Sequence, residues 1–393
     1  MTERPLKDET LLGHAGNAPQ ANFGIVNPPV YHASTILFPT LAALETMNRD
    51  KIANITYGRY GTPTTFALEQ AAAAIEGADK AIAMPSGLAA IAGALLSFLK
   101  AGDHLLMVDT VYAPVRTLCD HTLRGLGVET TYYDPLIGRG IAALIRSNTR
   151  VVYLESPGSL TFEIQDAPAI AEAARQAGCV TMMDNTWATP LYFKPLAHGI
   201  DISLHAATKY IVGHADAMMG LILCRSAHYR QLKTVVHGLG YCAAPDDCYL
   251  ALRGLRSLGA RLTRHGQTAL ELARWLAGRP EVIRVLHPAL PGHPGHDLWR
   301  RDFTGASGLF SFLLRPCTGE ALAAMLDGMK LFGMGFSWGG YESLLLPVRP
   351  QAVRSARPWS AEGTLLRLHA GLEDPGDLKS DLEAGFARLR AAA

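Results

Sequence analysis

An α/β fold, with a large domain built on a mostly parallel sheet and a smaller α+β domain behind it, is what this sequence predicts. Three observations lead there. Short apolar runs recur without strict alternation, and helical stretches of roughly a dozen residues separate them, the signature of βαβ units. Past Pro280 that rhythm gives way to strands and helices of another style. The chain has 393 residues, of which 49% are hydrophobic, enough to bury a large core.

Residues 1–60 read as an irregular lead-in, punctuated by Gly13, Gly16, Gly24, Asn27 and Pro28-Pro29, that packs on a neighbouring subunit. An alanine-rich helix follows over 66–77, with Gly77 as its stop. Strands at 81–84, 104–109, 128–132, 151–155, 180–184 and 202–206 alternate with helices at 87–99, 114–126, 141–146 and 168–177. A further strand covers 218–224, and a long helix covers 245–278. The last part places strands at 282–286, 308–313, 342–346 and 365–369, with helices at 319–327 and 374–389. The expected division is an arm, 1–60, a cofactor-binding domain, 61–256, and a carboxy-terminal domain, 257–393.

Composition removes several function classes. Lys+Arg number 36 against 35 Asp+Glu, so nothing favours nucleic acid or an anionic membrane. The start lacks an apolar core for export, and the most apolar stretch, 88–99, is too short to span a bilayer. A cytoplasmic protein is expected. The six cysteines form no Cys-x-x-Cys pair and read as reduced, mostly buried thiols. His287, His293 and His296 crowd a Pro/Gly-rich stretch that reads as a surface loop rather than a metal site. No Gly-x-Gly-x-x-Gly or Gly-x-x-x-x-Gly-Lys occurs, so nucleotide binding lacks its main support.

The chemistry gathers around 203–216, with Lys209 at its centre and the hydroxyl of Thr208 before it. Asp184 closes an apolar strand, where an unpaired carboxylate costs several kcal/mol. Ser86-Gly87-Leu88 sits between a strand and a helix, and such a helix start offers backbone N–H groups to an anion. Tyr112 follows a strand at a comparable edge position. An amine for an aldehyde, an acid for a ring nitrogen, an anion cradle and a flat ring are the parts that pyridoxal-phosphate chemistry needs.

Those residues belong to longer motifs: Tyr57-Gly-Arg59 with Thr62-Pro-Thr64, Glu155-Ser-Pro157, Asp184-Asn-Thr186, Thr208-Lys-Tyr-Ile-Val-Gly-His214, Ser337-Trp-Gly-Gly-Tyr-Glu342 and Arg367-Leu-His369. From Val26 to Asp374 the chain resembles the Cys/Met-metabolism family of pyridoxal-phosphate enzymes, within it the cystathionine β-lyases. The resemblance implies an aspartate aminotransferase-like fold (fold type I) and pyridoxal 5'-phosphate as cofactor. It implies a homodimer as the smallest active unit, usually paired into a tetramer. It implies α,β-elimination of L-cystathionine to homocysteine, pyruvate and ammonia, a step of transsulfuration in methionine biosynthesis.

By the same resemblance, Lys209 holds the cofactor aldehyde and later carries the proton, and Asp184 pairs with the ring nitrogen. Gly87, Leu88 and Thr208 bind the phosphate, and Tyr57 and Arg59 reach the phosphate of the adjacent subunit. Tyr112 stacks on the ring and helps deprotonate the incoming amine. Arg367 holds the substrate α-carboxylate, assisted by the Ser337 backbone and Trp338. Three positions depart from the pattern: Ser159 where γ-acting relatives carry Asn, Ala206 where Ser is frequent, and Phe336 where β-lyases often have Tyr. The alternatives are a cystathionine γ-synthase or γ-lyase, a broader cysteine-S-conjugate β-lyase, and a cofactor-binding regulator without turnover.

Overall fold

The computed structural model describes residues 6–392. Seven strands form the larger sheet: β1 (Lys80–Met84), β2 (His104–Val108), β3 (Glu129–Tyr133), β4 (Thr149–Glu155), β5 (Val180–Asp184), β6 (Ile202–His205) and β7 (Gly220–Cys224). Their order is β1-β7-β6-β5-β4-β2-β3. β3, β2, β4, β5 and β6 run parallel, and β7 runs antiparallel to both its neighbours. The carboxyl ends of β1, β2, β4, β5 and β6 therefore share one edge, the edge where open α/β sheets bind their ligands.

Burial on both faces explains the continuous apolar runs. Ile82 and Met84 of β1 pack with Leu95 and Val236, while Ala81 and Ala83 face the opposite side with Leu68 and Ile75. In β7, Ile222 and Cys224 join the first group, and Leu221 and Leu223 the second. Each fully buried aliphatic side chain of this kind contributes about 1.5–3 kcal/mol over leaving it exposed.

The helix expected at 66–77 starts earlier, at Pro63, because Thr65 Oγ1 accepts from the Thr62 N–H at 3.4 Å and Pro63 fits the first turn. The helix expected over 114–126 is interrupted: Ala113–Thr117 is followed by a π-turn at Leu118–Leu123. The lead-in is less irregular than expected. Asp8–His14 is helical and buries Leu12, whose carbonyl accepts from Arg256 Nη1 at 2.6 Å on the same chain's long helix.

A second, antiparallel sheet has the order β10-β11-β9-β8, with β8 (Val282–Leu286), β9 (Leu309–Leu314), β10 (Leu344–Val348) and β11 (Thr364–His369). The strand expected at 342–346 lies two residues later and contains Pro347, tolerated because β10 is an edge strand. The long helix Pro245–Ala277 serves two cores. Leu252, Leu255 and Leu262 pack under the large sheet, and Ala269, Leu272 and Leu276 pack with Phe310, Leu366 and Phe386 of the second.

His287 and His293 are buried, contrary to the surface loop expected. Their Nδ1 atoms accept from the backbone N–H groups of Ala289 and Gly295, so the rings brace the loop from inside. Among the described residues no group of three His, Cys, Asp or Glu side chains is placed to hold a metal ion. None of their helices is long and apolar enough to cross a membrane.

Candidate active site

The shared carboxyl edge opens into a cavity of about 740 Å³ that the second sheet helps to wall. Nine of the residues singled out in the sequence line it: Gly87, Leu88, Tyr112, Asp184, Thr208, Lys209, Ser337, Trp338 and Arg367. Tyr57 and Arg59 do not. They line a separate cavity of about 260 Å³ with Tyr31 and Pro245, and Arg59 Nη1 donates to the His237 carbonyl at 2.6 Å.

Lys209 sits in the turn after β6, where its N–H donates to the Ala206 carbonyl. Burial, with Arg367 adding to it, pulls its ammonium down to about 8 from an ordinary lysine's 10.5. Its Nζ donates to Ser337 Oγ at 2.6 Å and lies 5.4 Å from the Trp338 ring. Ser337 itself occupies the left-handed region at φ 76°, a conformation that a non-glycine residue holds only when its surroundings demand it. One of those surroundings is Arg367 on β11, whose Nη2 donates to the Ser337 carbonyl at 2.9 Å. Burial lowers this guanidinium to about 10, which leaves it charged.

Asp184 ends β5 in register with Glu155 at the end of β4. Burial pushes both carboxyls up, and Glu155 goes well above the usual carboxylate range, with Asp184 as the second cause. Asp184 Oδ1 accepts from the Thr186 N–H at 2.9 Å, and Thr186 and Lys209 draw its carboxyl back toward the ionised form. Glu155 Oε2 accepts from the Tyr112 N–H at 2.8 Å, fixing that ring at the cavity mouth. Burial and Glu155 also raise the Tyr112 phenol, so it keeps its proton at neutral pH.

The helix Gly87–Phe98 begins at the same edge. Ser86 Oγ accepts from the Ala89 N–H at 3.1 Å and the Ser86 carbonyl from Ala90 at 3.0 Å, and helix geometry leaves the Gly87 and Leu88 N–H groups without an intrahelical acceptor. A Cβ on residue 87 would stand 2.5 Å from Ala206 Cβ, so only glycine lets the helix start close on β6. Thr208 Oγ1 donates to the Met219 carbonyl at 3.1 Å and accepts from the Met219 N–H at 2.9 Å. The Met219 carbonyl also receives the Thr208 N–H, so the hydroxyl can turn to another acceptor without stranding it.

Pyridoxal phosphate fits this donor set. A lysine poised to lose its proton would suit an aldehyde, two unpaired N–H groups and a hydroxyl would suit a phosphate, and a buried carboxyl that lacks a cation would suit a pyridinium. Ala206 and Ser159, the departures from the family pattern, both line the same cavity, and Phe336 stands almost fully exposed at its rim.

Three contributors escaped the sequence reading as single residues. Glu155 stood in a quoted motif without a role, although an acid closing an apolar strand was the very signal read at Asp184. Asp109 carries the same signal at the end of β2. Arg354 carried none, because it comes from a loop with no periodicity.

Fold and site together define a fold type I pyridoxal-phosphate enzyme. The Cys/Met metabolism PLP-dependent enzyme family model matches residues 9–387, and the chain belongs to that family, with pyridoxal 5'-phosphate as its cofactor. It is 46% identical to the cystathionine beta-lyase of Escherichia coli (strain K12), over 98% of this chain and 99% of that one. It is 44% identical to the L-alanine/L-glutamate racemase of Wolbachia pipientis wMel, over 98% of each chain. Among solved structures it resembles cystathionine gamma synthase from Xanthomonas oryzae pv. oryzae, with a TM-score of 0.91 and 32% identity over 99% of this chain and all of that one.

Proposed function

We propose that the chain is a carbon–sulfur β-lyase that cleaves L-cystathionine to homocysteine, pyruvate and ammonia. The observation that carries it is the convergence of Lys209, Asp184 and Arg367, from the turn after β6, from β5 and from β11, on one cavity. When bound, pyridoxal phosphate supplies an aldehyde for the substrate amine and a ring that takes up electron density from a broken Cα–H bond. Arg367 donates two N–H groups to the substrate α-carboxylate and so fixes which Cα bond lies beside Lys209. Lys209 Nζ takes the Cα proton, and the electron pair left there expels homocysteine thiolate from Cβ. The released enamine is hydrolysed in water to pyruvate and ammonia. Asp184 keeps a proton on the ring nitrogen. The raised Tyr112 phenol favours stacking over the base role that the family resemblance implied.

The same reading assigns Gly87, Leu88 and Thr208 to the phosphate and Ser337 and Trp338 to the substrate. Tyr57 and Arg59, remote from this chain's own Lys209 cavity, are assigned to the phosphate of an adjacent subunit. Exposed Phe23, Val26, Leu37 and Leu41 on the amino-terminal arm support such a contact. The active unit is then a dimer, paired into a tetramer, acting in the cytoplasm, with the domains dividing along the long helix. Incubation with L-cystathionine tests the activity: pyruvate and a free thiol are expected in equal amounts. α-Ketobutyrate and cysteine without pyruvate would overturn it.

The racemase among the relatives supports a second reading. Removal of the Cα proton by Lys209 is common to both reactions, and a substrate with no leaving group at Cβ can only be reprotonated. Conversion of L-alanine to the D enantiomer faster than pyruvate release from cystathionine would make racemisation the main activity.

A further inference from the structure

Arg354 has a place in the cavity that the reaction at Cα leaves unused. It lines the same space as Lys209 and Arg367, and its side chain is 3% exposed. Nη2 meets Thr161 Oγ1 and lies 3.5 Å from Glu163 Oε2, but Nη1 is buried with no acceptor. A buried guanidinium nitrogen without a partner forfeits its hydration and gains nothing in return.

The chain invests in holding it there. Asp109, buried at the carboxyl end of β2, accepts from the N–H groups of Ser355 at 3.0 Å and Arg357 at 2.9 Å, from Ser355 Oγ at 3.0 Å, and from Arg116 at 2.5 Å. Burial alone would raise this carboxyl, yet those backbone bonds keep it below the usual range, so the clamp is anionic at neutral pH. The loop that follows Arg354 is thus pinned to the same sheet edge that carries Tyr112, nearly 250 residues away by chain.

L-Cystathionine has two carboxylates, and Arg367 accounts for one. Resting on the β-lyase reading, we propose that Arg354 is a specificity-determining residue whose free Nη1 binds the far carboxylate of a two-ended thioether. The ligand class is a cysteine thioether with an anion at the end remote from the reacting amine.

The test compares three thioethers on the holoenzyme: L-cystathionine, S-(2-carboxyethyl)-L-cysteine and S-propyl-L-cysteine, the last two differing by the far carboxylate. The wild type prefers S-(2-carboxyethyl)-L-cysteine to its propyl counterpart. In Arg354→Met that preference collapses: kcat/KM for the two charged thioethers falls about 10–100-fold, the worth of a hydrogen bond to a charged group, mainly through KM. The propyl compound changes by less than about twofold, since no contact to it is lost. Arg354→Lys, which keeps the charge but not the fork, falls between. Equal losses on all three would make Arg354 a structural counterion of Glu163 and overturn the inference. So would a wild type indifferent to the far carboxylate, measured by turnover or by calorimetric binding. Failure to release keto acid from any of the three overturns the β-lyase reading instead, while binding still decides the role of Arg354.

Discussion

The lowered Lys209 ammonium gives the sharpest handle on the site. With its midpoint at about 8, about 9% of the amine is free at pH 7, against about 0.03% for an ordinary lysine, a gain of about 300-fold in reactive form. Burial is the main cause, with Arg367 lowering the midpoint further and Asp184 raising it. The two neighbours therefore predict opposite signs. Arg367→Gln removes a cation and moves the Lys209 midpoint upward, whereas Asp184→Asn removes an anion and moves it downward. Trace acetylation of the cofactor-free protein across pH 6–11, read at the Lys209 peptide by mass spectrometry, measures the midpoint directly. A wild-type midpoint near 10.5, or a shift of both variants in the same direction, would refute the reasoning.

Gly339→Ala tests the loop over the lysine. Residue 339 has φ 88° and a Cβ there would lie 2.8 Å from the backbone of Lys209 and Tyr210, so a loss of about 1–3 kcal/mol in stability is expected by urea titration, with a lower kcat/KM. His369 holds the same loop, its Nε2 accepting from the Gly339 N–H at 3.1 Å; His369→Leu should lower kcat/KM, and His369→Gln, which keeps an acceptor, should recover most of it. Burial lowers His287 and His369 to about 3 and His265 and His293 to about 4. Unfolding frees them to bind protons near pH 6.5, so stability is intact at neutral pH and falls as pH drops from about 6.5 toward 3–4, by at most about 1.4 kcal/mol per pH unit for each ring. Urea midpoints at pH 7 and pH 5 check this; an unchanged midpoint would show that the rings are already protonated in the native state.

What could be read in the sequence was what repeats or ends a repeat. Strands buried on both faces left continuous apolar runs, and Asp184 and the Ser86-Gly87 turn stood out because they close such runs. Lys209, Arg367 and Ser337 needed the longer motifs, since a lysine, an arginine and a serine have no periodicity of their own. The burial of His287 and His293 was hidden because a Pro/Gly-rich stretch looks the same whether its imidazoles point outward or brace it from within. Arg354 was hidden for a related reason: the Asp109 clamp that pins the loop after it is distant in the chain, and only the folded sheet edge brings the two together.

That edge presents three acids, at the ends of β2, β4 and β5, and their hydrogen bonds separate their tasks. Asp109 is saturated by Arg116, Ser355 and Arg357 and is structural. Glu155 spends Oε2 on the Tyr112 N–H, and its burial beside Asp184 makes it the acid that holds a proton. Asp184 has Oδ1 bonded to Thr186, which with Lys209 draws it toward the ionised form, and its other oxygen is left for a ring nitrogen. The substitutions should therefore separate cleanly. Glu155→Gln replaces a neutral acid by a neutral amide that can still accept from Tyr112, and kcat should stay within about threefold, since little charge is lost. Asp184→Asn removes the counter-charge that this reading assigns to a pyridinium, and kcat should fall by about 10²–10⁴, the range a positioned proton supplies. If the two variants lose activity equally, the acids work as one shared-proton unit and the assignment of the ring nitrogen to Asp184 alone is wrong.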